Sequence, residues 1–339
     1  MRYIFYFFRT LYDVGFKRIL GRLLYEIKII FLKFLPEKII IFIFNIDKKT
    51  PKYKEILNTL NNVKISKRGK FINPSKITFS FLNQKETLAI PIQWNSNKYS
   101  QLWRFNLHYF EWYREFLEIK LRTGKWPYNS RLLKLLINDW IDNNKLGIGD
   151  GWHSYTISIR IRNWIIFFRI CPDLLNQKII DSMWKQICWL YSNKEDYIGG
   201  NHWLENLISL LIGSLQFEGK KSKEIFEFSF KNLEKELSHQ LLKDGGHFER
   251  SASYHLLILE RLIELGLILE NINGLRPYWL ISSIRKMTNW AYSVKLKNGK
   301  FPIFNDNPEI PFDIDSIINY GISYLNKKNI PKKGIKNIL

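Results

Sequence analysis

From Gln101 almost to its C-terminus, the chain consists of segments with helical periodicity that only short turns separate. Apolar residues recur at intervals of three and four positions, which is the pattern of helices that bury one face against a core. Glycine, proline, asparagine and aspartate fill the breaks, as in KLGIGDG, YIGGN and KDGG. The pattern predicts helices over residues 103–122, 130–142, 154–170, 175–192, 201–217, 222–242, 252–270 and 276–294.

Short links make neighbouring helices antiparallel, so these segments form successive helical hairpins. Hairpins in series can close into a ring of inner and outer helices, in which the loops at one end line a single cleft. We therefore predict an all-α fold of successive hairpins for residues 101–325, and an incomplete (α/α) toroid is a form that it can take. Residues 1–62 are expected to form a helical lead-in that breaks at Pro36, and residues 326–339 a basic tail.

Residues 63–100 differ in character from the helical segments on either side. Between residues 63 and 95, apolar residues such as Val63, Phe71 and Phe79 alternate with lysine, serine, threonine and asparagine. Alternation with a period of two is typical of strands that bury one face. This part of the chain is expected to form a few short strands or an extended arm.

The charge balance is strongly basic, with 52 Lys and Arg against 31 Asp and Glu and a formal net charge of +21. Such an excess concentrates polyanions at the surface, whether nucleic acid, an anionic membrane or a uronic acid polymer. Lysines that are merely solvated would give the same composition. No zinc finger, RNP or helix-turn-helix signature accompanies the charge, so we do not expect a nucleic acid partner.

The N-terminal segment is both apolar and basic. The apolar run at residues 3–8 is too short for a secretion signal. Charged residues and Pro36 interrupt the run at residues 27–45, which falls short of the roughly 20 apolar residues of a membrane span. Two interpretations of residues 2–33 stay open, a basic amphipathic helix on a membrane surface and a helix packed on the domain. The compartment and the oligomeric state stay open as well.

Neither a metal nor a cofactor is expected from the sequence. Cys171 and Cys188 are the only cysteines, and we expect them to be buried thiols rather than a bridge. The six histidines show no metal-ligand spacing within any one predicted element.

Five of the six histidines lie where a loop enters a helix, among Trp, Tyr, Asn and Gly. Clustering of a scarce titratable residue in turns favours a functional site over scattered use in a core. The flat aromatic rings of the same segments also suit the C–H faces of sugar rings. The candidate site residues are Asn106, His108 and Tyr109; Trp152, Tyr155, Arg160 and Arg162; Asn201, His202 and Trp203; and His247, Glu249, Arg250, Tyr254 and His255.

Each of these four groups has a structural alternative. The first can be an aromatic core helix, and the arginines of the second need an anionic partner that is either an internal carboxylate or a substrate carboxylate. Asn201 can be a helix N-cap, and so can Ser251 or Ser253. The polar groups between Asn201 and Asn206 nevertheless exceed what a cap requires, and a Tyr–His pair at a helix N-terminus suits proton transfer.

The elements WRFNLHYFEW, GWHSYTISIRIRNWI, GGNHWLENLISLLIG and DGGHFERSASYHLLIL resemble, in this order, the helical toroid of the heparinase II/III-like polysaccharide lyases, which alginate lyases share. The likeness runs from Asn95 to Phe304. The N-terminal FRTLYDVGFKRILGRLLYE resembles the lead-in of members from bacterial polysaccharide clusters. The resemblance therefore implies a role in the metabolism of a bacterial surface polysaccharide.

The chemistry that the resemblance implies is β-elimination at a uronic acid. The sugar carboxylate is neutralised, a base takes the C5 proton, and an acid protonates the departing O4. The implied roles are catalytic for Asn201, His202, Tyr254 and His255, orienting for Glu249 and Arg250, and carboxylate-binding for Arg160 or Arg162.

Full-length members of the family carry a large β-sandwich after the toroid, and this chain ends soon after FPIFNDNPEIPF. We therefore expect an open cleft that lacks the groups of that domain. Two functions remain, a polysaccharide lyase and a non-catalytic protein that binds or assembles an acidic glycan in the same groove. In both, the partner is an acidic polysaccharide or oligosaccharide.

Overall fold

The structure is a computed structural model that describes residues 15–54, 70–73, 76–125, 130–302, 305 and 313–326. The expectations for residues 1–14, for residues 63–69 and for the basic tail beyond Asn326 lie outside these described residues. The described chain begins with two helices, α1 (Phe16–Leu32) and α2 (Glu37–Ile43). Within the ranges just given, no helix is both long and apolar enough to cross a membrane.

A small antiparallel sheet follows, in the part of the chain where the sequence predicted short strands. Its strands, in the order β1-β2-β3, are β1 (Lys70–Asn73), β2 (Thr78–Phe81) and β3 (Gln84–Thr87). Leu82 and Asn83 connect β2 to β3 with φ angles of 52° and 60°, as in a tight two-residue hairpin. The Phe79 ring on β2 packs against Trp112 at a centroid distance of 5.0 Å, which attaches the sheet to the helical domain.

The remainder of the described chain is mainly helical, and the all-α prediction is confirmed. The helices are α3 (Gln101–Tyr109), α4 (Tyr113–Thr123), α5 (Ser130–Asn143), α6 (Ser154–Ile170), α7 (Gln177–Ser192), α8 (Gly200–Ser214), α9 (Lys220–Gln240), α10 (Ala252–Asn273), α11 (Tyr278–Val294) and α12 (Ile314–Leu325). The bounds of α6 are those predicted, and most of the others differ by a few residues.

Two differences from the prediction have physical reasons. The single helix predicted over residues 103–122 is two helices, because Phe110 takes the left-handed conformation (φ 56°) and its buried ring stacks on Trp94 and Trp112. Helix α12 was not predicted, because it follows a segment rich in proline and asparagine, and these residues are typical of loops.

Helices α6, α8 and α10 form the interior of the fold. Each is buried on nearly every side, as expected for helices that other helices surround. Helices α7, α9 and α11 pack outside them, while α3 and α4 pack against α6. This arrangement of inner and outer helices is that of the predicted toroid. Cys171 and Cys188 are buried free thiols, as predicted.

A buried network of charged side chains joins the inner helices. Its members are Glu111 before α4, Arg114 on α4, Arg162 on α6, Glu205 on α8, and Glu260, Arg261 and Glu264 on α10.

Each arginine of the network contacts more than one carboxylate. Arg261 bonds Glu111 at 2.7 Å and Glu205 at 2.9 Å, and Arg162 bonds Glu264 at 2.5 Å. Arg114 also bonds Glu264, so this pair ties α4 directly to α10. Removal of one partner would leave a buried charge without compensation, which is much costlier than loss of a surface pair.

We expect Glu264→Ala to lower the free energy of unfolding by about 3–5 kcal/mol, because Arg114 and Arg162 each lose the closer of their carboxylate partners. Urea denaturation followed by circular dichroism measures the change. Glu227→Ala is the matched control, since Glu227 forms an exposed pair with Lys223 at 3.7 Å and its loss should cost no more than about 0.5 kcal/mol. Equal midpoints for the two variants would contradict the role of the network.

Candidate active site

The candidate site begins at the N-terminus of α8, where the chain turns through Gly199 and Gly200. Both glycines have positive φ angles, 71° and 56°, and a Cβ on Gly200 would lie 3.4 Å from Oε1 of Glu249. Gly199 is the N-cap and no side chain caps the helix. Asn201 therefore does not serve as the cap, the alternative that the sequence left open.

Asn201 instead faces the loop before α10. Its Nδ2 donates to Oε2 of Glu249 at 3.2 Å, while its buried Oδ1 accepts no hydrogen bond from the described residues. Gln240, the last residue of α9, links this loop to α8. It donates to the carbonyl of Gly200 at 3.0 Å and contacts His247 of the loop. The third and fourth sequence motifs thus adjoin each other.

His202 forms a hydrogen-bonded pair with Glu195. The distance from its Nδ1 to Oε1 of Glu195 is 3.1 Å, and its ring stacks on Tyr155 with centroids 4.4 Å apart. The side chain is 40% exposed, so the other ring nitrogen remains accessible. Because an ionised carboxylate can only accept, Glu195 fixes the proton on Nδ1 and leaves the lone pair of the neutral ring on Nε2.

Glu195 is itself held rigidly. Asn206 donates to its Oε2 at 3.2 Å and accepts from its backbone N–H at 2.8 Å, and Asn206 also donates to Ser158 at 3.0 Å. Burial alone would raise the pKa of Glu195, but the hydrogen bonds from His202 and Asn206 and the nearby His153 lower it below the ordinary value. The carboxylate therefore stays ionised and can orient His202.

Sequence reasoning missed Glu195, which lies in the loop before the two glycines. The signal in the sequence was an acidic residue in a loop that ends in two glycines and leads into the helix carrying His202. The same reasoning left His153 out of the site, although its Nε2 lies 3.8 Å from Oε1 of Glu195. Burial lowers the pKa of His153, and the negative charge of Glu195 opposes that shift.

Tyr254 and Arg250 lie at the entrance to α10. Ser251 is the N-cap, and its Oγ accepts from the backbone N–H of Tyr254 at 3.4 Å, as the structural alternative for Ser251 predicted. Tyr254 is half-buried in the first turn. Arg250 is exposed, with a φ of 52°, and Asn305 donates to the carbonyl of Glu249 at 3.1 Å.

His255 and His247 do not face the groove. His255 is fully buried between α10 and α11, where Nε2 contacts the carbonyl of Met287 at 2.9 Å, and burial lowers its pKa to about 4. The His247 ring contacts Gln240 at 2.9 Å, and burial lowers its pKa to about 3. The proton-transfer role expected of His255 and the substrate contact expected of His247 do not fit these positions.

Arg160 and Arg162 are also fully buried, so the expected grip on a substrate carboxylate does not fit them either. Arg160 donates to Gln186 at 2.8 Å and to the carbonyl of Gly151 at 2.7 Å, and lies over the Trp140 ring. Arg162 belongs to the buried ion-pair network. For both arginines, the structure thus favours partners inside the protein over a substrate carboxylate.

The remaining candidates differ in their surroundings. His108 is buried and accepts from the Trp140 indole at 2.9 Å, and Trp203 packs against Phe228 in the core. Asn106 is half-buried and donates back to the carbonyl of Leu102 at 2.8 Å. Tyr109 contacts Tyr155, the ring that stacks on His202, with centroids 6.1 Å apart, and Trp152 lines a cavity beside His202.

The buried histidines should make the fold sensitive to acid. In an unfolded chain, histidine takes its proton near pH 6.5, whereas His255 in the fold takes it at about 4. The unfolded state therefore binds the proton first, and stability present above pH ~6.5 is lost as the pH falls toward 4, at up to about 1.4 kcal/mol per pH unit.

Urea denaturation of the protein at several pH values should show this loss, and His255→Gln should flatten it. His239→Gln is the control, because His239 lies exposed on α9. A pH profile that His255→Gln leaves as steep as the parent profile would contradict the assignment.

Comparisons with known proteins agree with the fold. The model of the heparinase II/III N-terminus family matches residues 31–323. Two solved structures of a heparinase III give a TM-score of 0.50 at 19% and 18% identity, covering 72% and 74% of this chain and 45% and 46% of theirs. Heparan sulfate lyase HepC from Pedobacter heparinus gives a TM-score of 0.48 at 19% identity, covering 68% of this chain and 38% of its own.

This chain therefore spans less than half the length of these solved structures. The likeness to the two heparinase III structures concerns the fold. Among curated protein sequences, none matches this chain. The family match covers most of the 339 residues and includes the four motifs and the candidate site. The chain belongs to the heparinase II/III N-terminus family.

Proposed function

We propose that this protein is a polysaccharide lyase that cleaves an acidic polysaccharide by β-elimination at a uronic acid. The observation that carries the proposal is the exposed His202, whose Nδ1 is held by the ionised Glu195 beside the Asn201 amide. Membership of the heparinase II/III N-terminus family supports it. The net charge of +21 also favours a polyanionic substrate.

The first chemical requirement is neutralisation of the sugar carboxylate, which acidifies the C5 proton. Asn201 supplies an amide that donates to Glu249 at 3.2 Å, and a sugar carboxylate would replace that acceptor. His202 next to it keeps its Nδ1–H on Glu195, which leaves Nε2 for proton transfer rather than for the carboxylate. Asn201 therefore binds the carboxylate in our proposal.

The second requirement is proton transfer. Tyr254 is the candidate for the acid that protonates O4, and for the base at C5, because it is half-buried at the entrance of α10 beside the loop that contacts Asn201. A neutral His202 could share the role of base through Nε2. With His255 enclosed in the core, Tyr254 and His202 remain the proton carriers.

The burial of His255 also favours a second candidate function. A protein that lacks one proton-transfer group can bind an acidic glycan without cleaving it. In this alternative the groove serves binding or assembly of the polymer. For both functions we propose a bacterial surface polysaccharide as the ligand, on the resemblance of the N-terminal segment.

A panel of alginate, polyglucuronate and heparan sulfate tests the proposal through the ultraviolet absorbance of the unsaturated product. We expect Tyr254→Phe to lower kcat by about 10²–10⁴-fold, because a general acid or base contributes that much. Glu195→Gln should lower it by about 10–100-fold, since it removes the group that orients His202. His239→Gln, on the exposed face of α9, should leave the rate unchanged.

The two candidate functions give different results in this assay. Product formation that Tyr254→Phe abolishes supports the lyase. No product from any polymer, with binding that Tyr254→Phe leaves intact, would reject the lyase and support the glycan-binding protein.

A further inference from the structure

Helix α1 lies along the loop that carries Glu195. Gly21 approaches Tyr197 so closely that a Cβ would come within 2.3 Å of its ring, and Lys28 donates to Asn193 at 2.8 Å. Between them, Tyr25 meets the His153 ring edge-on with centroids 5.5 Å apart. Spacings of three and four residues place these contacts on one helix face, so α1 forms a wall of the candidate site.

A cavity of about 480 Å³ lies between α1 and the turn before α6. His153 and His202 line it, which makes it continuous with the candidate site. Its volume is within the range of roughly 300–1,000 Å³ that small ligands occupy. Arg22 and Lys28 of α1, with Lys33 just after it, also line the cavity on one side, and Phe105, Asp150 and Trp152 line it on the other.

The cavity lining has a surplus of positive charge. Arg22 and Lys28 on α1 and Lys33 just after it outnumber the two lining acids, Glu26 and Asp150, and Asp150 is paired with Arg104 at 2.5 Å. Lys28 donates to Asn193, whereas Lys33 is exposed. Arg22 pairs with Glu26 at 2.6 Å, but both side chains are exposed to solvent, so an anionic ligand can compete for Arg22. The rings of Phe105 and Trp152 provide apolar surface of the kind that sugar C–H groups contact.

We propose that this cavity is a subsite for an acidic sugar unit next to the unit bound at His202. Arg22 and Lys33 bind its carboxylate or sulfate, and the aromatic wall contacts its ring. This subsite rests on the proposed function, whose substrate it extends by one sugar. Almost all of α1 precedes residue 31, where the family match begins, so the match does not account for this wall.

The double variant Arg22→Ala/Lys33→Ala tests the subsite, with Lys38→Ala/Lys48→Ala as the control. The control removes the same charge from exposed positions outside the cavity lining. With heparan sulfate and alginate oligosaccharides as probes, calorimetry should show a Kd about tenfold higher for the first variant only. KM should rise equally, with kcat kept within about twofold, because the contact is the same in the ground and transition states.

The outcomes separate the subsite from the function. The subsite alone is overturned if the Arg22/Lys33 variant has the same Kd and KM as the parent protein and the protein still forms unsaturated product. An equal loss in the Lys38/Lys48 control would also overturn it, since the effect would then follow net charge. Failure of the parent protein to bind any of the glycans would overturn both proposals.

A separate observation concerns the opposite face of α1, which is apolar and exposed. Large exposed apolar side chains extend from this face of α1 along the chain to α2. They are Leu20, Leu23, Leu24, Ile27, Ile30, Phe31, Phe34, Ile39, Phe42 and Ile43. Phe34 and Phe42 are 80% and 84% exposed, and a contiguous apolar surface of this kind marks an interaction site.

Exposed cations lie on α2 and shortly after it, at Lys38, Lys48 and Lys49. The apolar members are all Leu, Ile or Phe, whereas protein interfaces favour Trp, Tyr and Arg at their centres. Helices with this composition lie in the plane of an anionic membrane surface. We infer that the outer face of α1 and α2 binds an anionic lipid bilayer without crossing it.

Sedimentation with vesicles of phosphatidylcholine, alone or mixed with phosphatidylserine, tests this inference. We expect binding to the anionic vesicles only, and about a tenfold or greater loss of it in Phe34→Ser/Phe42→Ser, because each phenylalanine gives up its burial in lipid. Tyr278→Ser/Tyr292→Ser is the control, as these rings on α11 are 84% and 68% exposed.

Two results would overturn the membrane inference. One is equal vesicle binding by the phenylalanine variant and the parent protein. The other is a parent protein that binds no vesicles but self-associates through these phenylalanines, which would assign the surface to a second copy of the chain.

Discussion

The buried ion-pair network is the constraint on which the rest of the structure depends. Its arginines and glutamates come from α4, α6, α8 and α10 and from the turn before α4. Charges in a protein interior are tolerated only with close, multiple partners, so the inner helices cannot slide past one another without breaking several of these bonds. The network therefore fixes the relative positions of the helices that carry the candidate site.

Helix α8 transmits this constraint to the site. Glu205 bonds Arg261 in the core, while Asn201 and His202, one turn earlier, face the groove. Asn206 belongs to the same helix and clamps Glu195, so the carboxylate that orients His202 is attached to α8 as well. Asn206 thus holds Glu195, and Glu195 holds His202, so both side chains are oriented in advance, as in a preorganised site.

Much of the fold could be predicted from the sequence, because periodicity and turn residues are local properties. The bounds of α6 and the turns before Asn201 and Ser251 are examples. The break at Phe110 could not be predicted, since it depends on packing against Trp94. At the candidate site, the motifs included His202 but not its hydrogen-bond partner Glu195, and they could not predict that α11 encloses His255. A motif gives the residues of one segment, whereas burial and pairing depend on segments distant in the chain.

The long sequence separations in the network also limit when, during synthesis of the chain, its ion pairs can form. Arg114 and its partner Glu264 are 150 residues apart, and Arg162 and Glu264 are 102 apart. At a synthesis rate of about 5–20 residues per second, Glu264 leaves the ribosome roughly 8–30 s after Arg114. During that time Arg114 has neither of the carboxylates that it pairs with in the fold, because Glu260 and Glu264 both lie on α10. Arg114 therefore stays in water until α10 completes the network.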